Sequence, residues 1–260
     1  MSSLQTLRGL ITLCLAPILT FLVSLLALID MFWLRRSEWK AQQFPRWWGK
    51  TICRLAGVRV RMEGLEHIDP KQTYIFAANH ASQFDIFVFQ GYFPYDFRWI
   101  AKKELFQLPV FGRAMHRVGY IAIDRSRGRQ ALKSLDNAAS QIAAGKSVLI
   151  FPEGTRSADG RLQAFKPGAI LLAIKAGVPI VPMGFNGSHE VLPKGRLLAH
   201  SGEIVLRIGT PIPTKGFTAK DKQQLTAKLH QAVAGLLEAR YLPDTEQEQT
   251  GDTVSQETGA

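Results

Sequence analysis

From Leu10 to Ile29 the chain reads LITLCLAPILTFLVSLLALI, with no charged residue in the run. A helix of about 20 such residues is long enough to cross the hydrocarbon core of a bilayer. Few other fates are open to it, because lipid offers backbone polar groups no partners except one another. Pro17 lies inside the run and leaves two geometries open: a kinked spanning helix, or a re-entrant helix confined to one leaflet. Met31, Phe32, Trp33, Leu34, Arg35 and Arg36 follow shortly after, an aromatic and basic edge suited to lipid headgroups. Only Arg8 precedes the run, whereas Arg35, Arg36, Lys40, Arg46, Lys50 and Arg54 follow it. The asymmetry predicts an inner-membrane protein whose main domain faces the cytoplasm. A cleaved leader fits poorly, since its apolar part would be shorter and no small-x-small cleavage pattern is present.

Between Trp39 and Val58, Phe44, Trp47, Trp48, Ile52 and Leu55 recur at helical spacing among basic residues. This pattern suits an amphipathic helix at the membrane surface, or one that turns its aromatic stripe to a protein core. Both readings stand at this point. After Gly57 short β-rich runs alternate with segments of helical period, which predicts an α/β fold: a mixed, roughly seven-stranded sheet covered by helices, behind an N-terminal membrane-associated helical segment. The expected strands are 58–62, 73–78, 97–101, 120–124, 147–151, 180–185 and 203–208. A helix is expected over 129–144, with Ala131, Leu132, Leu135, Ala138, Ala139 and Ile142 as its apolar stripe and Gly145 as its stop. A last helix is expected over 220–240, lined by Leu225, Leu229, Val233 and Leu236.

A chain of 260 residues accommodates one sizeable domain and an appendage. The expected organisation is membrane-anchoring helices over 1–57, one α/β domain over 58–242, and a disordered acidic tail over 243–260. The net charge of +11 includes that tail, whose Asp244, Glu246, Glu248, Asp252 and Glu257 face no Lys or Arg, so the remainder carries about +16. Such a balance suits nucleic acid, an anionic membrane surface or phosphorylated substrates, and composition does not choose among them. Cys14 and Cys53 are too few for a disulfide framework, and the six histidines show no paired ligand spacing. No metal is expected.

Four segments carry candidate chemistry. The strand 73–78 ends in Asn79-His80, and Asp85 follows five residues after the histidine, at the start of a helix. There the carboxylate can hold one imidazole nitrogen while the other faces substrate, the arrangement of a general base with its orienter. The same spacing also arises where a turn histidine merely caps a helix. Phe151-Pro152-Glu153-Gly154-Thr155-Arg156-Ser157 follows a strongly apolar strand, at the end where α/β sheets bind ligands. Its glycine, hydroxyls and arginine suit an anion, and an ordinary glycine turn with an exposed Arg is the plain alternative. Asp124-Arg125-Ser126-Arg127-Gly128-Arg129 places three arginines before a helix N-terminus, where anions are favoured. Lys102 and Lys103 follow the strand 97–101 and project to the same sheet end, or stay in solvent.

Taken in order, these segments resemble the 1-acylglycerol-3-phosphate acyltransferases among the glycerolipid acyltransferases, from about Val58 to Thr210. The first family motif appears as Asn79, His80 and Asp85, and the second as Gly119 to Arg125, with Ala122 where a bulkier residue is common. The third runs intact from Phe151 to Ser157, and the fourth appears as Val178-Pro179-Ile180-Val181-Pro182 after the helix opening Pro167-Gly168-Ala169. The resemblance implies His80 as catalytic base and Asp85 as its partner, with Lys102, Arg125 and Arg156 around a substrate phosphate. It implies acceptor binding by Glu153, Gly154 and Thr155, although a glutamate there can instead position its neighbour. Val178 to Pro182 are assigned to core strand and tunnel wall.

The implied reaction moves a fatty acyl group from acyl-CoA or acyl carrier protein to the sn-2 hydroxyl of 1-acylglycerol 3-phosphate, giving phosphatidic acid. The implied partners are the lysophospholipid, the thioester carrier and the membrane, with no nucleic acid and no cofactor. Ser82, two residues after His80, is expected as a helix cap rather than as an acyl carrier. The rivals are acylation of another lyso-lipid or of glycerol 3-phosphate, and, from another class, a non-catalytic protein that only binds anionic membranes.

Overall fold

The computed structural model of the chain describes residues 3–30, 38–124 and 128–243. The aromatic and basic edge at 31–37, Arg125 to Arg127 and all but the first residue of the acidic tail therefore lie outside the described residues. Helix α1 (Ser3–Ile29) is followed by a single turn, α2 (Glu38–Ala41), and by α3 (Gln43–Ala56), which ends at Gly57. Gly57 adopts φ +73°, a left-handed conformation that glycine enters without steric penalty, and β1 begins at the next residue. From there the order is β1 (Val58–Glu63), β2 (Ile75–Ala78), α4 (Phe84–Tyr92), β3 (Arg98–Lys102), α5 (Phe111–Arg117), β4 (Ile121–Ile123), α6 (Arg129–Ala143) and β5 (Val148–Ile150). The chain continues through α7 (Pro167–Ala176), β6 (Ile180–Asn186), α8 (Ser188–Val191), β7 (Gly202–Ile208) and α9 (Lys222–Ala234).

The seven strands form one mixed sheet in the order β1-β7-β6-β2-β5-β3-β4. β6 and β7 pair antiparallel and every other neighbour pairs parallel, so β6, β2, β5, β3 and β4 all end at the same edge. Ile75 aligns with both Val148 and Ile180, which fixes the central register. The central strands β2, β5 and β6 are buried along their whole length, as a sheet covered on both faces requires. One face packs the aromatic group Phe76, Phe89, Phe93, Phe97 and Trp99 against α3 and α4; the other packs Ile75, Val148 and Ile180 against α6, α7 and α9.

Several expected boundaries move for local reasons. The last helix ends at Ala234 rather than near 240. Beyond it the Leu236 carbonyl accepts from Asn186 Nδ2 and Arg207 Nη1, contacts that a continuing helix would forfeit, and Leu237 rather than Leu236 is buried. β4 stops at Ile123 because the Asp124 amide donates to Ser134 Oγ at 3.0 Å instead of extending the ladder. On α6, Leu132 faces solvent while Leu135, Ala138, Ala139 and Ile142 are buried, so the apolar stripe is narrower than expected.

Helix α1 lies along the body of the protein. Gln5 Nε2 donates to Ser201 Oγ at 3.3 Å near one end, and Gly9 comes so close to Ala199 that a Cβ there would stand 2.8 Å from its carbonyl oxygen. Towards the other end Trp48 Nε1 donates to Thr20 Oγ1 at 3.0 Å, and Val23 and Ala27 are buried. The opposite face exposes Leu4, Leu7, Ile11, Ile18, Phe21, Leu22 and Leu26. Helix α3 divides the two readings of its stripe: Ile52 is in the core and Trp48 packs edge-on to Phe87 at 5.0 Å, whereas Trp47 is 53% exposed.

Candidate active site

The common edge of the five aligned strands gathers the chemistry-bearing loops. β2 delivers Asn79 and His80, β5 delivers Phe151 to Ser157, β3 ends in Lys102 and β4 leads into Asp124. Asn79 is buried and bridges to β6: its Oδ1 accepts from the Phe185 amide at 2.7 Å and its Nδ2 donates to the Phe185 carbonyl at 3.1 Å. The turn that carries His80 is thereby fixed to the neighbouring strand.

Helix α4 begins at Phe84, so Asp85 lies in its first turn. Asp85 is 0% exposed, and its Oδ2 accepts from the Ala81 and Ser82 amides, each at 2.9 Å, and from His80 Nδ1 at 2.8 Å. Two backbone donors and the imidazole thus share one carboxylate oxygen, which fixes that oxygen opposite Nδ1. With Nδ1 protonated towards the carboxylate, the lone pair on Nε2 is left for a substrate proton. Ser82 is also 0% exposed; its Oγ donates to the Leu192 carbonyl at 2.8 Å and accepts from the Phe84 amide at 3.1 Å. That hydroxyl is committed to structure and is poorly placed for nucleophilic attack.

The loop after β5 closes on His80. Phe151 stacks on the imidazole with centroids 3.8 Å apart and planes 10° apart. The Ser157 amide donates to the His80 carbonyl at 2.7 Å, and the His80 amide donates to Glu153 Oε1 at 2.9 Å. Glu153 Oε2 accepts from Gln163 Nε2 at 2.6 Å. Burial pushes the Glu153 carboxyl up to about 8, against the opposing pull of these donors. Gly154 has φ +76°, and a Cβ there would strike the side chain of Lys166 at 2.8 Å. Thr155 is exposed, Arg156 is half-buried, and Lys194 Nζ donates to the Arg156 carbonyl at 2.7 Å.

Of the expected cations, Lys102 is exposed at the end of β3, while its neighbour Lys103 pairs with the buried Asp124 at 2.7 Å. Arg125 lies outside the described residues. Sequence reasoning passed over Gln163, the Phe151 stack and Lys166. The last stands directly before the Pro167 that opens α7, and Gln163 carries no local pattern that would single it out.

An apolar cavity of about 160 Å³ lies on the α4 side of the sheet, walled by Val23 and Ala27 of α1, Trp48 of α3, Ile86 of α4, Trp99 of β3 and Met115 of α5. Ile86 adjoins Asp85 in the chain, and Trp99 lies 6.2 Å from the Phe151 ring that stacks on His80. Gln90 also faces this cavity, with its polar atoms satisfied: Oε1 accepts from Trp99 Nε1 at 2.7 Å and Tyr120 Oη at 2.9 Å, and Nε2 donates to Gln42 Oε1 at 3.3 Å.

Residues 59–186 match the sequence model of the family described as Acyltransferase. The 1-acyl-sn-glycerol-3-phosphate acyltransferase of Limnanthes alba is 33% identical over 196 residues, spanning 75% of this chain and 69% of that protein. The human 1-acyl-sn-glycerol-3-phosphate acyltransferase alpha is 33% identical over 180 residues, 69% of this chain and 64% of that one. Among solved structures, the 1-acyl-sn-glycerophosphate (LPA) acyltransferase PlsC from Thermotoga maritima superposes with a TM-score of 0.74 at 27% identity, covering 89% of this chain and 96% of that one.

Proposed function

We propose, from the premise that this chain belongs to the 1-acylglycerol-3-phosphate acyltransferase family, that it transfers a fatty acyl group from a thioester to the sn-2 hydroxyl of 1-acylglycerol 3-phosphate and so makes phosphatidic acid. The observation that carries this reading is the 2.8 Å contact between His80 Nδ1 and the fully buried Asp85, at the strand edge that also ends in Lys102 and in the loop of Arg156. In the proposed step His80 Nε2 takes the proton of the acceptor hydroxyl as its oxygen attacks the thioester carbonyl. Asp85 stabilises the imidazolium that forms, the C–S bond breaks, and the thiolate leaves with the proton returned by His80. No covalent acyl-enzyme is needed, in keeping with the buried and doubly bonded Ser82 hydroxyl.

Lys102, Arg125 and Arg156 hold the acceptor's phosphate in this reading, with Thr155 at the same loop. Adjacent strands lie about 4.8 Å apart. The strand order β2-β5-β3 puts the loop of Arg156 one strand from that of His80 and Lys102 two strands away. Arg156 is accordingly assigned the main phosphate contact, with Lys102 next. The apolar cavity beside Asp85 suits a hydrocarbon chain, and α1 forms one of its walls, so lipid held by that helix lies next to the chemistry.

Helix α1 is read as a one-leaflet anchor: it touches the body near both ends, and a bilayer-spanning course would draw the body into the hydrocarbon. Its exposed leucine face and the exposed Trp47 meet the membrane, with the body on the cytoplasmic side. The test is acyl transfer by purified protein given acyl-CoA or acyl carrier protein thioesters and a panel of lyso-lipids, with products identified by mass. Phosphatidic acid from 1-acylglycerol 3-phosphate supports the assignment. Acylation only of glycerol 3-phosphate or of a neutral lyso-lipid moves it to another acceptor, and no thioester-dependent product from any acceptor leaves a membrane-binding protein.

A further inference from the structure

We infer that Glu153 is a positioning residue that sets the main chain of His80, and through it the imidazole, rather than a group that touches the acceptor. The inference rests on the acyltransferase reading above and assigns the buried glutamate of the β5 loop a part within it. Glu153 is 2% exposed, and each carboxyl oxygen already has a protein donor: the His80 amide at 2.9 Å on Oε1 and Gln163 Nε2 at 2.6 Å on Oε2. A substrate hydroxyl would have to displace one of them from a desolvated site.

The same loop holds His80 at two further points, the carbonyl through the Ser157 amide at 2.7 Å and the ring through the Phe151 stack at 3.8 Å. With Asp85 on Nδ1, every polar group of His80 except Nε2 is restrained. Misplacing a catalytic group by about 1 Å can cost 10²-fold in rate. A clasp on both sides of the His80 α-carbon is therefore a direct means of holding Nε2 at the attacking oxygen. Gln163 belongs to the clasp, because it donates to both Glu153 and the Thr155 carbonyl and so ties the carboxyl to its own loop.

The experiment compares Glu153→Ala and Glu153→Gln with wild type in full-length protein, reading kcat and the KM for 1-acylglycerol 3-phosphate separately. Glutamine keeps an oxygen for the His80 amide, and the Gln163 amide can turn to meet its NH2 group. Glu153→Ala is expected to lose kcat by about 10²-fold with an acceptor KM within about 3-fold of wild type, and Glu153→Gln to recover most of that kcat. Should Glu153→Ala not fold, Glu153→Asp, which withdraws the carboxylate by one methylene, carries the same comparison. In protein labelled with 15N-histidine, the His80 amide, identified by its absence from His80→Ala, should shift in Glu153→Ala and stay near its wild-type position in Glu153→Gln. A raised acceptor KM with unchanged kcat, or a His80 amide indifferent to Glu153→Ala, would overturn the inference. If the wild type transfers no acyl group, the function itself fails while the amide measurement still judges the clasp.

Discussion

His80 and Asp85 differ in what surrounds them, and that difference predicts how each substitution behaves. His80→Ala should lower kcat by roughly 10³-fold or more, since it removes the group proposed to take the hydroxyl proton. Asp85→Asn, whose amide oxygen can take the Oδ2 place and keep the two backbone contacts and the contact to Nδ1, removes the charge that would stabilise the imidazolium, with an expected loss of roughly 10²-fold or more in kcat and little change in KM. Ser82→Ala removes a hydroxyl with two structural partners. It should cost about 1 kcal/mol of stability while leaving kcat within a few-fold of wild type, which a denaturation curve and a rate measurement check together. Glu153 adds a pH prediction whose sign follows from its raised carboxyl. The folded value of about 8 exceeds the ordinary 4.5, so the folded state prefers the neutral form, and stability falls as pH rises from 4.5 through 8. Glu153→Gln should therefore melt close to wild type at pH 5 and above it at pH 9.

At the scale of elements, helix α4, which carries Asp85, depends on a contact remote from His80. Gly49 of α3 and Gly91 of α4 meet so closely that a Cβ on Gly49 would lie 2.6 Å from the Phe87 carbonyl oxygen, and one on Gly91 would lie 2.7 Å from the Lys50 nitrogen. Gly91→Ala should push the two helices apart at a cost of about 1–3 kcal/mol, shift Asp85 with α4, and lower kcat as well as Tm. Nothing in the local sequence marks this pair, because the need for small residues arises only once the helices cross. The sheet was far more legible: all seven strands lie within a few residues of their expected bounds, and β2, β5 and β6 are apolar throughout or nearly so because strands buried on both faces demand it. The helix expected to reach 240 misled because Leu236 keeps the helical period, while the competing demand on its carbonyl from Asn186 and Arg207 is a tertiary fact. The contact of His80 with Asp85 was open to the sequence because the strand-to-helix turn is short, and the family resemblance rather than the spacing singled it out. The hold of Glu153 on His80 was not, since it links residues 73 apart in sequence.

For the whole molecule, α1 lines the apolar cavity on the α4 side of the sheet, so the proposed membrane anchor and the proposed chemistry share a wall. A one-leaflet anchor predicts that labels placed near residues 4 and 26, both on the exposed face, are quenched by lipid-borne quenchers of the same leaflet; a spanning helix would separate them across the bilayer. The formal charge of about +16 outside the tail, with Lys102 and Arg156 on the strand edge that carries His80, predicts that headgroup charge governs acceptor choice. Both ideas meet in one assay: the rate of acyl transfer to 1-acylglycerol 3-phosphate and to the neutral monoacylglycerol, for wild type and His80→Ala, with liposome binding measured in parallel. The expected result is rapid formation of phosphatidic acid by wild type, poor use of the neutral acceptor, and loss of transfer in His80→Ala with membrane binding unchanged. Transfer that survives in His80→Ala, or equal use of the neutral acceptor, would contradict the assignment of His80 and of the phosphate-binding loops.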